Sequence, residues 1–209
     1  MTGLRERQKN KRRQSMLKAA LEMFRERGYD AVKLEEIAER ADVSVGTVYT
    51  YFKTKNALLL AVIVDDFDIA FSFSSTALSN PFSDAESAVN ELTRCYFHEI
   101  EGGVTREMWR VAIAAFMREP ASHFAIEYQK CLSKMQRQYL AMVRRLQDEN
   151  LLDTSIIPTE FASILYNNAN MCFMEFLRDE NASIDVLMAR LDRHNKRLVQ
   201  WVNRSNPSH

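Results

Sequence analysis

Glycine is scarce in this chain, five residues in 209, and none of the five stands in the G-x-x-x-x-G-K spacing that cradles a nucleotide phosphate. Neither H-E-x-x-H nor G-x-S-x-G occurs, so the signatures of zinc and serine hydrolases are missing as well. Cysteine is equally sparse. Cys95, Cys131 and Cys172 are odd in number, widely spaced and without a C-x-x-C pair, which argues against a disulfide framework or zinc site and fits a reducing cytoplasm. The longest apolar run, Ala57 to Val64, is halted by Asp65 and Asp66, far short of the roughly 20 residues that cross a bilayer. The start is polar and basic, with no apolar core of a secretory signal. These gaps predict no enzyme, no cofactor, no metal and no membrane partner. His98 with Glu99 and Glu101 is the nearest approach to a metal cluster, but neighbouring helical positions diverge.

Proline is rarer still, at four residues, and both punctuators fall at the ends of periodic apolar segments. Gly28 closes a segment whose stripe is Met16, Ala19, Ala20, Met23 and Phe24. Gly102 and Gly103 close another, carrying Val89, Leu92, Tyr96 and Ile100, while Pro81, Pro120 and Pro158 flank helical patterns. The spacing predicts an all-α chain of about nine helices, near 5–28, 34–41, 45–52, 55–79, 84–101, 105–118, 121–150, 159–179 and 183–203. In the fourth, VIVDDF has the look of a strand, but Leu60, Val64, Phe67 and Phe71 keep helical spacing and there is no second strand to pair with.

Hydrophobic content of 46% and charged content of 27% describe a globular chain able to bury a core. Lys and Arg balance Asp and Glu at 28 each, but the balance hides an asymmetry. Residues 1–55 hold 13 basic and 8 acidic residues, a net +5, and the remainder is net −5. Arg5, Arg7, Lys9, Lys11, Arg12 and Arg13 supply much of that excess. Two readings fit: a basic head that meets a polyanion, or a solvated basic tail.

The head explains an odd stretch, VSVGTVYTYFKTKNAL from Val43 to Leu58. Its short helix is built from mediocre helix formers. Only Asp42, Val43 and Ser44 join it to the preceding helix, in which Leu34, Ile37, Ala38 and Ala41 face inward and Glu35, Glu36, Glu39 and Arg40 face water. Small Ala38 and Ala41 allow a close crossing. This is a helix-turn-helix arrangement, whose second helix lies in a DNA major groove. Ser44 can cap that helix, and Val48 and Phe52 anchor it. Val45, Gly46, Thr47, Tyr49, Thr50 and Tyr51 remain for the outer faces, offering rings, methyls and hydroxyls to base edges and phosphates. Gly46 permits close backbone approach, and Lys53 and Lys55, the latter following the cap Thr54, can neutralise phosphates. Tyr49 and Tyr51, two residues apart, lie on nearly opposite faces, so at most one of them is core.

The frame ALEMFRERGYDAVKLEEIAERADVSVGTVYTYFKTKNALL, residues 20–59, resembles the head of the TetR family of bacterial transcriptional regulators. The match lies in Phe24 and Gly28, the Ile37-Ala38 pair, V-S before the second helix of the motif, G-T-V-Y at Gly46 to Tyr49, and Y-F-K-x-K at Tyr51 to Lys55. The resemblance covers a quarter to a third of the chain. It implies that Val45, Gly46, Tyr49 and Thr50 face bases, while Thr47, Tyr51, Lys53 and Lys55 hold phosphates. Family members often carry Thr where Lys33 stands; Lys33 can reach a phosphate but cannot cap, which predicts a more frayed helix start. Many also have Gly where this chain has Asp42, a residue that tolerates a left-handed backbone.

The resemblance further implies a DNA-binding domain at residues 10–57, with its motif at about 34–53. Residues 58–209 would then form an effector-binding and dimerisation domain. The expected protein is a homodimeric repressor that a small-molecule effector releases from a near-palindromic double-stranded operator. A ligand-independent architectural DNA binder and a helical-bundle enzyme are the alternatives. Dimerisation is expected through helices 159–179 and 183–203. Their apolar stripes are Phe161, Leu165, Cys172 and Phe176 in the first, and Ile184, Leu187, Met188, Leu191, Leu198, Val199, Trp201 and Val202 in the second. The same stripes would equally serve to cover one subunit's own core. For the effector, Asn168 with Cys172 and the apolar walls Phe71, Trp109, Phe116 and Tyr128 would suit a mixed polar and apolar ligand, with Glu175 and Arg94 at the rim. The competing reading has Asn167, Asn168 and Asn170 bonding across a dimer interface or back to the chain.

Overall fold

The computed structural model describes residues 2–97 and 103–204. The His98, Glu99 and Glu101 group, Ile100 and Gly102 lie outside them. Among the described residues there are nine α-helices and no strand: α1 (Thr2–Arg27), α2 (Leu34–Arg40), α3 (Val45–Tyr51), α4 (Lys55–Ser79), α5 (Ala85–Phe97), α6 (Arg106–Arg118), α7 (His123–Asp148), α8 (Pro158–Arg178) and α9 (Ile184–Arg204). The VIVDDF stretch is helical, inside α4, with Leu60, Phe67 and Phe71 buried. No helix of the described residues is long and apolar enough to cross a membrane, and they hold no cluster of three metal-ligating side chains.

Two compact units emerge, one from residues 1–66 and 100–129, the other from 67–99 and 130–209. In the first, α2 packs on both α1 and α3. The α1 stripe of Met16, Ala19, Ala20, Met23 and Phe24 is buried, as are Leu34, Ile37 and Ala38 of α2 and Val48 of α3. Arg40 ties α2 to α1 through Glu22 and Glu26 at 3.3 and 3.0 Å. These exposed pairs add little stability.

Helix ends are made by identifiable devices. Asp42 sits at φ 53. The Val43 N–H donates to Ala38 O and the Asp42 N–H to Glu39 O, at 3.0 and 3.1 Å. That pattern is a Schellman motif with aspartate in the left-handed position more often filled by glycine. Ser44 Oγ accepts the Thr47 N–H at 3.2 Å and caps α3. At α2, where lysine cannot accept a hydrogen bond, the Glu36 carboxylate reaches back to the Lys33 N–H at 2.8 Å. Half of a capping box therefore secures a helix start expected to fray.

In the second unit α9 packs against both α5 and α8. Two hydrogen-bonded polar groups sit within this apolar body. Tyr96 and Ser74 both donate to Gln138 Oε1, at 2.7 and 3.0 Å, Tyr139 Oη lies 3.1 Å from Thr93 Oγ1, and Asn195 donates to Asn90 at 3.0 Å. Burial raises the Tyr139 phenol, with Thr93 acting in the opposite sense.

Candidate nucleic-acid interface

α3 has seven residues, too few to be stable alone. Two side chains hold it: Val48 is fully buried and Phe52, its C-cap, nearly so. Val45, Gly46, Tyr49 and Thr50 are exposed, and Thr47 and Tyr51 are half-buried. Val45 and Tyr49 are 40% and 44% exposed, more than expected of large apolar side chains in a packed head. Thr50 Oγ1 donates to Gly46 O at 2.8 Å, and Thr47 Oγ1 lies 2.8 Å from Ser44 Oγ, so both hydroxyls are held in place. Gly46 is instructive. A Cβ built there would meet nothing nearer than Ser44 Oγ at 4.0 Å. Packing within the chain does not require a glycine at this position.

The structure thus brings Ser44, Val45, Gly46, Thr47, Tyr49 and Thr50 together on one small helix and its cap. Tyr51 is half-buried, and its hydroxyl donates to Lys9 O at 3.3 Å, linking the end of α3 to the basic part of α1. That part is helical, with Arg5, Arg7, Lys9, Lys11 and Arg12 exposed and Arg13 half-exposed. Lys33 and Lys53 are exposed as well.

Two arrangements were not legible in the sequence. The Tyr49 hydroxyl donates to Glu35 Oε1 of α2 at 2.9 Å. This bond raises the Tyr49 phenol, while the Glu35 carboxyl is lowered first by backbone hydrogen bonding and then by the tyrosine. Lys55 departs from expectation. Its Nζ donates to the carbonyls of Tyr29, Asp30 and Val32 at 2.9, 3.2 and 3.1 Å and lies 4.4 Å from the Tyr29 ring centroid. An ammonium has three donors, and all three are spent inside the head. Lys55 is a clamp on the loop between α1 and α2, whereas Lys53 is exposed. The clamped Tyr29 is buried, its hydroxyl donates to Asn56 Oδ1 at 2.6 Å, and burial, then the Asp30 charge, push its phenol up to about 12.

The six residues expected to line an effector site divide between the two units. In the first, Trp109 and Tyr128 are buried and Phe116 half-buried, with Phe116 and Tyr128 ring centroids 5.2 Å apart. In the second, Phe71 is buried with Lys134 Nζ 3.9 Å from its ring centroid. Asn168 and Cys172 are also in the second unit, and both lie against α9. Asn168 Oδ1 is 2.8 Å from His194 Nδ1 and Cys172 Sγ is 3.7 Å from the same nitrogen. Because both contact one nitrogen and burial raises the Cys172 thiol, the trio lacks the relay geometry of a nucleophile. An open depression of about 660 Å³ beside them is lined by Cys172, Glu175, Phe176, Arg178, Leu187 and Arg190, among others. Arg94, expected at the effector rim, instead pairs with Asp192 at 2.5 Å.

The apolar stripes expected at a dimer interface belong largely to the subunit's own core. Phe161, Leu165, Cys172 and Phe176 of α8 are buried, as are Leu187, Leu191 and Val199 of α9. The exposed apolar side chains of this pair are Ile164 and Met171 of α8, Ile157 at its N-cap, and Val186 and Trp201 of α9.

Residues 16–62 match the family model of bacterial regulatory proteins of the tetR family. Over 84 residues the chain is 36% identical to the HTH-type transcriptional repressor KstR of Rhodococcus jostii (strain RHA1), a match to 40% of each chain. The chain thus matches about 40% of the length of such curated relatives. Among solved structures, a transcriptional regulator of the TetR/AcrR family from Thermobifida fusca YX-ER1 superposes with a TM-score of 0.66 at 22% identity, covering 88% of this chain and 96% of that one. FadR from Bacillus subtilis, a transcriptional regulator solved in complex with stearoyl-CoA, gives 0.65 at 16% identity, covering 89% and 97%. At these identities the likeness is one of fold.

Proposed function

We propose that the chain, whose residues 16–62 match the family model of bacterial regulatory proteins of the tetR family, is a sequence-specific DNA-binding transcriptional regulator that acts as a homodimeric repressor in the cytoplasm. DNA binding is assigned to residues 10–57, and effector binding and dimerisation to 58–209. One observation carries the reading: α3 buries Val48 and the C-cap Phe52 and leaves Val45, Gly46 and Tyr49 exposed, as a helix entering a major groove must. Thr47, Thr50 and Tyr51 flank it, and Lys33, Lys53 and the exposed basic residues of α1 supply phosphate contacts.

Selection of bound fragments from random duplex DNA at near-physiological salt tests the reading. The expected result is an enriched palindrome with half-sites about one helical turn apart. Salt-sensitive binding with no consensus would instead support a nonspecific basic head, the architectural alternative.

For the effector we assign the aromatic group Trp109, Phe116 and Tyr128, whose apolar faces suit a ligand with a substantial hydrocarbon part. FadR of Bacillus subtilis, similar in fold, was solved with stearoyl-CoA. Release of DNA by such a ligand requires that it bind two conformations with different affinity. Asn168 and Cys172 are assigned to the α8–α9 face instead, because their polar atoms meet His194 of α9. Homodimerisation is proposed through that face.

A further inference from the structure

Tyr49, the exposed ring of α3, is bonded to a carboxylate of the helix before it. Its hydroxyl donates to Glu35 Oε1 at 2.9 Å. Neighbouring acids pair differently. Glu36 holds Arg27 at 2.7 Å, and Glu22 and Glu26 hold Arg40 at 3.3 and 3.0 Å. Glu35 meets a phenol instead. Backbone hydrogen bonding first, and the tyrosine second, hold the Glu35 carboxyl below its ordinary value, so it is ionised at neutral pH. A carboxylate only accepts and a phenol carries a single proton, so the direction of the bond is fixed.

That direction limits what Tyr49 can do at a DNA surface. Its proton is taken, which leaves the oxygen lone pairs and the ring. Phosphate oxygens only accept, as do guanine N7 and O6 and thymine O4, so none of them can bond this hydroxyl. The donors on the major-groove edge are amino groups, N6 of adenine and N4 of cytosine. Thr50 and Tyr51 follow the same pattern, their hydroxyls donating to the carbonyls of Gly46 and Lys9. Tyr49 differs in using an ionised acceptor, and such bonds are about twice as strong as neutral ones. Glu35 also acts on the DNA. It is exposed, one hydrogen bond from the outward hydroxyl of Tyr49, and its charge repels phosphate. A carboxylate there weakens binding to every duplex; what it adds is orientation of the reading group and discrimination, a difference of affinities.

We propose that Glu35 is a positioning residue that makes Tyr49 an acceptor-only reader of an amino-bearing base, adenine or cytosine. The carboxylate restricts the ring torsions, and the phenol oxygen accepts from the amino hydrogen that points into the major groove. The inference rests on the reading of α3 as the groove-entering helix and adds the class of base edge that Tyr49 meets.

Selection from random duplex DNA by the parent, Tyr49→Phe, Glu35→Ala and the double variant tests it. Both side chains are exposed, so the variants keep the fold. The parent should prefer adenine or cytosine at one position of each half-site, and each single variant should relax that position about tenfold. The double variant should relax it no further, because the two residues act as one unit. Glu35→Ala should also bind nonspecific duplex about threefold more tightly. On the parent's consensus, replacing that adenine by unsubstituted purine, or that cytosine by 2-pyrimidinone, deletes the amino group. The parent should then bind about tenfold more weakly and Tyr49→Phe should not change. Equal binding of the parent to the two duplexes overturns the inference, as does guanine or thymine at the Tyr49-dependent position. So does a Glu35→Ala variant that keeps the parent's preferences. Relaxation in Glu35→Ala but not in Tyr49→Phe would make the carboxylate itself the reader, and overturns it too. A parent that enriches no consensus overturns the groove-reading assignment along with it.

Discussion

α3 and α8 present outward faces for opposite physical reasons. α3 is short and weakly helical and is held by one buried valine and a C-cap phenylalanine. Its outer surface is free because so little of it is used inward. α8 spans 21 residues and buries nine of them in its own subunit, so its outer surface is what remains after a large core has been satisfied. On α3 the outlier is a glycine that packing does not demand. On α8 it is an amide that packing does not complete.

The comparison can be broken first at its anchors. Phe52→Ala should cost about 3–5 kcal/mol by removing a buried ring. The same change should abolish DNA binding while α8 and α9 stay folded. Thermal unfolding followed by circular dichroism should then separate into two transitions; a single unshifted melt would show that Phe52 does not hold the head.

Next comes the contrast between two lysines of the same motif. Lys55→Ala should destabilise the head by about 1–3 kcal/mol, since three backbone carbonyls lose a charged donor. Lys53→Ala should leave stability unchanged and flatten the salt dependence of DNA binding by about one unit in the logarithmic slope. If Lys55→Ala changed only the salt slope, the clamp would not describe its role in solution.

Gly46→Ala sharpens the other side. With open space around the new methyl group, stability should hold or rise by about 0.4–1 kcal/mol. DNA affinity should nevertheless fall about tenfold, about 1.4 kcal/mol. An alanine variant that binds as well as the parent would remove Gly46 from the interface. Tyr49→Ala should change which sequences are preferred more than the overall affinity. A uniform loss across sequences would show that Tyr49 does not read bases.

The smallest effect concerns pH. Tyr29 is held neutral in the folded head up to about 12, above its ordinary value near 10. Between those values the folded state keeps a proton that the unfolded state has lost, so stability present below pH 10 declines as pH rises towards 12. Chemical denaturation of the head at pH 9 and pH 11 should show the drop, and Tyr29→Phe should flatten it.

Helix positions in the head were legible because the stripe of Met16, Ala19, Ala20, Met23 and Phe24 and the pair Val48 and Phe52 are local patterns. So were the caps: Ser44 and Asp42 act through backbone atoms a few residues away. Lys55 was misread because its partners lie 23 to 26 residues distant. Nothing in Y-F-K-x-K distinguishes a lysine aimed at phosphate from one folded back on carbonyls. The α8 stripe was misassigned for a related reason. Apolar periodicity reports that a face is buried but not by what, and in α8 the stripe of Phe161, Leu165, Cys172 and Phe176 was taken by the subunit's own core.

Local chemistry along the chain, then, was enough to determine an all-helical protein with a basic head, a capped helix-turn-helix and an outward Val45, Gly46 and Tyr49. Helix periodicity, capping and turn residues act over one or two turns, a range that linear order preserves. Tertiary structure alone decided which donors of Lys55 were already used, that Tyr49 bonds Glu35, and that Asn168 is half satisfied by His194. Each of these is a competition between partners far apart in sequence, and a hydrogen bond has no counterpart in linear order until folding brings its two atoms within about 3 Å.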